Sequence, residues 1–69
     1  MKKYRELVEL KGLIRERKTN YETLAKQLKM SISAISNKIN GKSVFNILEA
    51  EKISEILNID KKDITRYFF

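Results

Sequence analysis

The sequence predicts an all-α domain of five short helices, and three observations carry that prediction. Proline is absent, apolar residues recur at helical rather than alternating spacing, and residues that favour helix ends punctuate the chain at Asn20, Ser31, Asn40-Gly41, Asn46 and Asp60. No repeat, linker or low-complexity stretch interrupts the 69 residues, so they read as one domain, 1–69.

The first helix is expected over about Tyr4 to Arg17, with Leu7, Leu10, Leu13 and Ile14 on one stripe and Lys and Arg opposite. Gly12 inside it costs about 1 kcal/mol against alanine; close approach of a neighbouring helix would explain it, but on sequence alone it reads as a weak spot. Asn20 suits an N-cap, since its side-chain oxygen can accept from a free amide of the next helix's first turn. That helix runs from Tyr21 to about Leu28, with Leu24, Ala25 and Leu28 inward, and Lys29-Met30 make the turn. Ser31 caps the third helix, Ile32 to about Ile39, which points Ile35 and Ile39 at the core. Asn40-Gly41 closes it, both residues tolerating left-handed backbone. Val44 and Phe45 lead to Asn46, which with Glu49 makes a capping-box pair for a fourth helix through Leu57. Its expected core face is Leu48, Ile53, Ile56 and Leu57. Asp60 is expected to cap a last short helix that buries Tyr67 and Phe68 with Ile64, leaving Phe69 partly exposed near an association surface.

Composition narrows the function classes. Cysteine and histidine are both absent, which removes disulfides, the usual zinc ligands and the Ser-His or Cys-His nucleophile pairs. No phosphate-cradling glycine loop or evident carboxylate pair is present, so no enzyme activity, cofactor, metal or small-molecule substrate is expected. No apolar run approaches the roughly 18 residues a membrane span needs, and a soluble, intracellular protein is expected. Charge is uneven: residues 1–45 carry 11 Lys/Arg against 4 Glu, which is +7, while residues 46–69 carry 4 against 5, which is −1. One face suits a polyanion and another suits packing or association.

Residues 20–41 supply a candidate reader of double-stranded DNA, two short helices with a tight turn between them. Base edges would be met from the third helix by Ile32, Ser33, Ser36 and Asn37. Asn can pair with adenine, Ser with several bases, and Ile can pack on a thymine methyl; Ile32 also has the spacing of a core residue. With no Arg in the set, an A·T-leaning half-site is expected. Phosphates would be held by Asn20 and Tyr21 on one side. Ser31, Lys38, Asn40, Lys42 and Ser43 would hold them on the other.

Over roughly Leu10 to Phe68 the chain resembles the Cro/C1-type helix-turn-helix family, also called the XRE family. Asn20, Tyr21, Leu24, Ala25, Ser31, Ile35, Asn40 and Gly41 carry the resemblance. Where the family commonly has glutamine this chain has Tyr21, and where it has a turn glycine this chain has Lys29. The resemblance implies a lambda-repressor-like DNA-binding domain with base contacts at Ile32, Ser33 and Asn37, with Ser36 adjacent. It also implies a homodimer, at least on DNA, that binds a pseudo-palindromic operator, as a phage Cro or short prophage repressor does. The competing expectation is an antitoxin-like protein-interaction module on the same scaffold, using Val44, Phe45 and Phe69 as exposed apolar contacts.

Overall fold

The computed structural model describes residues 3–69, and every regular element among them is helical. In chain order these are α1 (Val8–Glu16), α2 (Tyr21–Leu28), α3 (Ile32–Ile39), α4 (Ile47–Leu57), a 3₁₀ turn (Lys61–Asp63) and α5 (Ile64–Phe68). The Cα radius of gyration, 10.8 Å, matches the roughly 11 Å expected of a compact folded chain this long.

The helix starts follow from local side-chain chemistry. Asn20 Oδ1 accepts from the Thr23 amide at 2.9 Å, and Ser31 Oγ accepts from the Ala34 amide at 3.0 Å. At α4 the capping box is complete: Asn46 Oδ1 accepts from the Glu49 amide (2.8 Å) and Glu49 Oε1 accepts from the Asn46 amide (3.0 Å). The ends of α1, α2 and α4 share one device. Lys18, Lys29 and Asn58 are left-handed, with φ of 58°, 57° and 58°. In each case the next residue's amide reaches back five residues, from Thr19 to Ile14, Met30 to Ala25 and Ile59 to Ser54. This is the Schellman arrangement without glycine, and Lys29 accepts the strained geometry that the turn demands.

Several expectations are corrected by the fold. α1 begins at Val8, four residues later than the apolar stripe suggested, because residues 3–7 form a strap over the end of α3. The Lys3 and Tyr4 amides donate to the Gly41 carbonyl (3.0 and 2.9 Å), and the Leu7 amide donates to the Ile39 carbonyl (2.8 Å). The strap thereby satisfies carbonyls that a helix end leaves open. Gly12 meets no neighbour: a Cβ built there has nothing within 4 Å. Leu48 lies outside the core at 72% exposure, since the inward stripe of α4 is Ala50, Ile53, Ser54 and Leu57, with Ile56 only partly buried. Asp60 precedes the 3₁₀ turn but makes no side-chain cap; its carbonyl accepts from the Asp63 amide instead.

The core joins Leu7, Leu10, Leu13 and Ile14 to Leu24, Ala25, Ile35 and Ile39, and then to Phe45, Ala50, Ile53, Leu57 and Phe68. Phe45 and Phe68 meet edge to face, centroids 5.6 Å apart, and both are 1% exposed. Phe45 is therefore removed from any surface-contact role, whereas Val44 and Phe69 stay exposed. Tyr67 is half-buried against the core rather than within it. Ser54 is buried with its hydroxyl donating to the Ala50 carbonyl at 2.7 Å.

Between α3 and α4, Lys38 Nζ lies 2.7 Å from Glu49 Oε1 and over the Phe45 ring. Burial pushes the Glu49 carboxyl up, but the hydrogen bond and charge of Lys38 and the Asn46 amide outweigh it, so its pKa lies below the usual carboxylate value. A depressed folded pKa stabilises the domain above the unfolded value and loses that contribution as pH falls through the folded one. Denaturant unfolding from pH 6 to pH 3 is thus expected to show a steeper stability loss in the wild-type chain than in Glu49→Gln. Parallel profiles would contradict the assignment.

Candidate nucleic-acid interface

Ile35 and Ile39, both 0% exposed, fix the rotation of α3. At about 100° per residue, Ser33 and Asn37 must then point away from the core, and both are exposed. Ile32 resolves its two readings: at 50% exposure it is a surface residue of the helix's first turn, not a core residue. The outward face of α3 is thus an apolar side chain, a hydroxyl and an amide. Ser36 is half-buried, and its Oγ accepts from Asn40 Nδ2 at 3.2 Å.

The expected phosphate-binding residues fall into three groups. Asn20 and Tyr21, at the start of α2, line one open concavity of about 630 Å³ together with Ile32, Lys11, Arg15 and Thr19. Tyr21 packs against the core and is only partly buried. Lys42 and Ser43 sit in the loop that curls around the end of α3, their amides donating to the Asn37 carbonyl at 2.9 and 3.4 Å. Lys42 is exposed and Ser43 half-buried, so backbone bonds tie this loop directly to a candidate reading residue.

The third group makes internal bonds, which commit Lys38 and Asn40 but leave the Ser31 O–H able to donate. Lys38 is paired with Glu49, both side chains 18% exposed, and serves to join α3 to α4 rather than as a surface cation. Asn40 joins α3 to α1: Lys11 Nζ donates to its Oδ1 at 3.4 Å and to Glu6 Oε2 at the same distance. Ser31 spends its hydroxyl oxygen on the α3 cap and stays exposed at the helix start.

Sequence reasoning passed over Lys11 and Arg15. They lie four apart on α1, which places them on one helix face, and the fold carries that face to the concavity shared with Asn20, Tyr21 and Ile32. The i, i+4 basic spacing was the available signal; its position beside α2 is a tertiary fact. Among the described residues no group of His, Cys, Asp and Glu is arranged to hold a metal ion, and no helix is long and apolar enough to cross a membrane.

These features define a small all-helical domain whose exposed polar helix face is bordered by Lys and Arg from α1 and from the following loop. The chain belongs to the family described as Protein of unknown function (DUF739), matched over residues 3–69. No curated protein and no solved structure matches it.

Proposed function

We propose that this chain is a sequence-specific double-stranded DNA-binding regulator of the Cro/C1 type, a lambda-repressor-like domain that lays α3 into the major groove. The observation that carries the reading is the composition of the outward face of α3. Two isoleucines anchor the helix in the core, yet a third, Ile32, stands half-exposed beside Ser33 and Asn37. An apolar side chain next to an amide and a hydroxyl on one exposed helix turn suits a mixed surface of thymine methyl and base-edge donors and acceptors. Arg15 and Lys11 share a concavity with Ile32, and Lys42 is exposed in the loop after α3, groups of the kind that contact phosphates.

The roles divide by chemistry. Ile32, Ser33 and Asn37 read bases, with Ser36 positioned by Asn40 at their side. Asn20, Tyr21 and Ser31 at the helix starts, and Lys42 and Ser43 in the loop, hold phosphates. Arg15 joins them from α1, beside Lys11, which is held by Glu6 and Asn40. The reading assigns the chain no catalysis. As a repressor it would act by occluding a promoter.

Two substitutions test this division. Asn37→Ala is expected to cost about 1–3 kcal/mol of discrimination at a single base position while leaving binding to unrelated duplexes nearly unchanged. Lys42→Ala is expected to weaken binding to all duplexes and to lower the slope of log affinity against log salt by about one. Fluorescence anisotropy against matched and mismatched duplexes over a salt series measures both. Identical effects of the two substitutions would contradict the separation of reader from clamp.

A further inference from the structure

Two exposed carboxylates of α4, Glu51 and Glu55, have no ion-pair partner among the described residues, and both sit where a helix disfavours them. They lie four apart, so like charges face each other across one turn. Glu55 also falls in the last turn, where the helix dipole favours cations and α4 supplies none. The described ion pairs lie elsewhere, joining Lys11 to Glu6, Lys38 to Glu49 and Arg66 to Glu9.

These carboxylates stand between two apolar features. Ile47 and Leu48, 62% and 72% exposed, precede Glu51 by one helical turn. Beyond them is a groove of about 500 Å³, with Glu51, Glu55 and Lys61 on its walls and the half-buried Ile59 and Ile64 in its lining. One face thus runs apolar, acidic, apolar over about 15 Å, the length of a helix of about ten residues. The DNA-contact assignments use no residue of α4.

We infer that this face of α4 is a docking surface for an amphipathic helix of a different protein, one that carries Lys or Arg between two apolar anchors. Glu51 and Glu55 lie about 6 Å apart along the axis, the rise from i to i+4 of any helix, so two cations one turn apart on the occupant meet both. Its apolar anchors then fall on the Ile47–Leu48 knob and in the Ile59–Ile64 groove. Charge selects against a second copy, since a two-fold axis on α4 would set Glu51 and Glu55 against the same pair. The whole chain carries +6, so cations recruited to this face report a local attraction rather than bulk charge. The surface is not the one formed by Val44 and Phe69, and the inference rests on no DNA-binding role.

Selection from a displayed library of helix-forming peptides tests it. The peptides are about 16 residues long, randomised among Ala, Leu, Ile, Lys, Arg, Glu and Gln, and are selected on the immobilised full chain. Enrichment of Lys or Arg pairs four apart between Leu or Ile is expected. Added to the isotope-labelled chain, an enriched peptide should shift backbone amides within 47–64 and bind with a Kd below about 100 μM. Joint replacement Glu51→Gln and Glu55→Gln should weaken it about fivefold or more, and Leu48→Ser by a similar factor. Val8→Ser, at a comparably exposed apolar position on α1, should leave it unchanged within about twofold. Circular dichroism confirms that the variants fold. No enrichment, an enriched pool poor in Lys and Arg, amide shifts confined to other elements, or affinity indifferent to the Glu51–Glu55 replacement overturns the proposal. Peptide selection as expected by a chain that selects no DNA sequence would sustain it and count against the DNA-binding reading alone.

Discussion

Phe45→Ala is expected to remove about 3–5 kcal/mol of stability, the range for truncating a fully buried aromatic. The ring is 1% exposed, meets Phe68 edge to face at 5.6 Å and lies under the Lys38 ammonium. Removing it opens a cavity where the loop after α3, the start of α4 and the end of α5 converge. It also leaves Lys38 and Glu49 paired over a void. A domain of this size holds roughly 3–10 kcal/mol in total, so the variant should be largely unfolded at 37 °C or melt tens of degrees lower. Thermal circular dichroism measures it. A melting temperature within about 4 °C of wild type would mean that Phe45 is not the packing centre that its burial indicates.

Gly41→Ala is expected to cost about 2–4 kcal/mol, an effect far larger than one added methyl implies. The residue has φ of +88°, where an L side chain is strained by about 1–2 kcal/mol. A Cβ built there would lie 2.5 Å from the Tyr4 carbonyl oxygen, a backbone atom that moves only if the strap moves. Displacing the strap breaks the Lys3 and Tyr4 hydrogen bonds to the Gly41 carbonyl, each worth about 1 kcal/mol net. Because Lys42 and Ser43 follow directly, DNA affinity should fall beyond what Lys42→Ala alone removes. Thermal unfolding together with amide exchange at Lys3 and Tyr4 distinguishes the cause. Lost protection at those two amides marks strap release, whereas full protection with an unchanged melting temperature contradicts the contact.

What the sequence made legible was local. Asn20, Ser31 and Asn46 cap helices through bonds to amides three residues ahead, so a reader needs only a short window to see them. Ile35 and Ile39 likewise fix the rotation of α3 by spacing alone, leaving Ser33 and Asn37 outward. Apart from Asp60, whose carbonyl rather than side chain meets the Asp63 amide, the misses involve distant partners or small residues. Residues 3–7 have helix-compatible spacing, and only the carbonyls of Ile39 and Gly41, more than thirty residues away, draw them into a strap. The inward stripe of α4 begins with Ala50 and includes Ser54, side chains too small or too polar to stand out as core, so the apolar spacing points to Leu48, which is exposed. Lys38 and Asn40 looked like surface donors because their partners, Glu49 and Lys11, lie on other helices. The same tertiary packing carries Lys11 and Arg15 to the face that holds Ile32.

Selection of bound duplexes from a random pool at near-physiological salt tests whether α3 reads DNA sequence. Enrichment of an A·T-leaning inverted repeat whose half-sites lie about one helical turn, roughly 34 Å, apart is the expected result. One preferred base in each half-site should relax when the selection is repeated with Asn37→Ala. Failure to enrich any sequence, with only bulk binding that fades as salt rises, would contradict the account and reduce the basic face to a non-specific one.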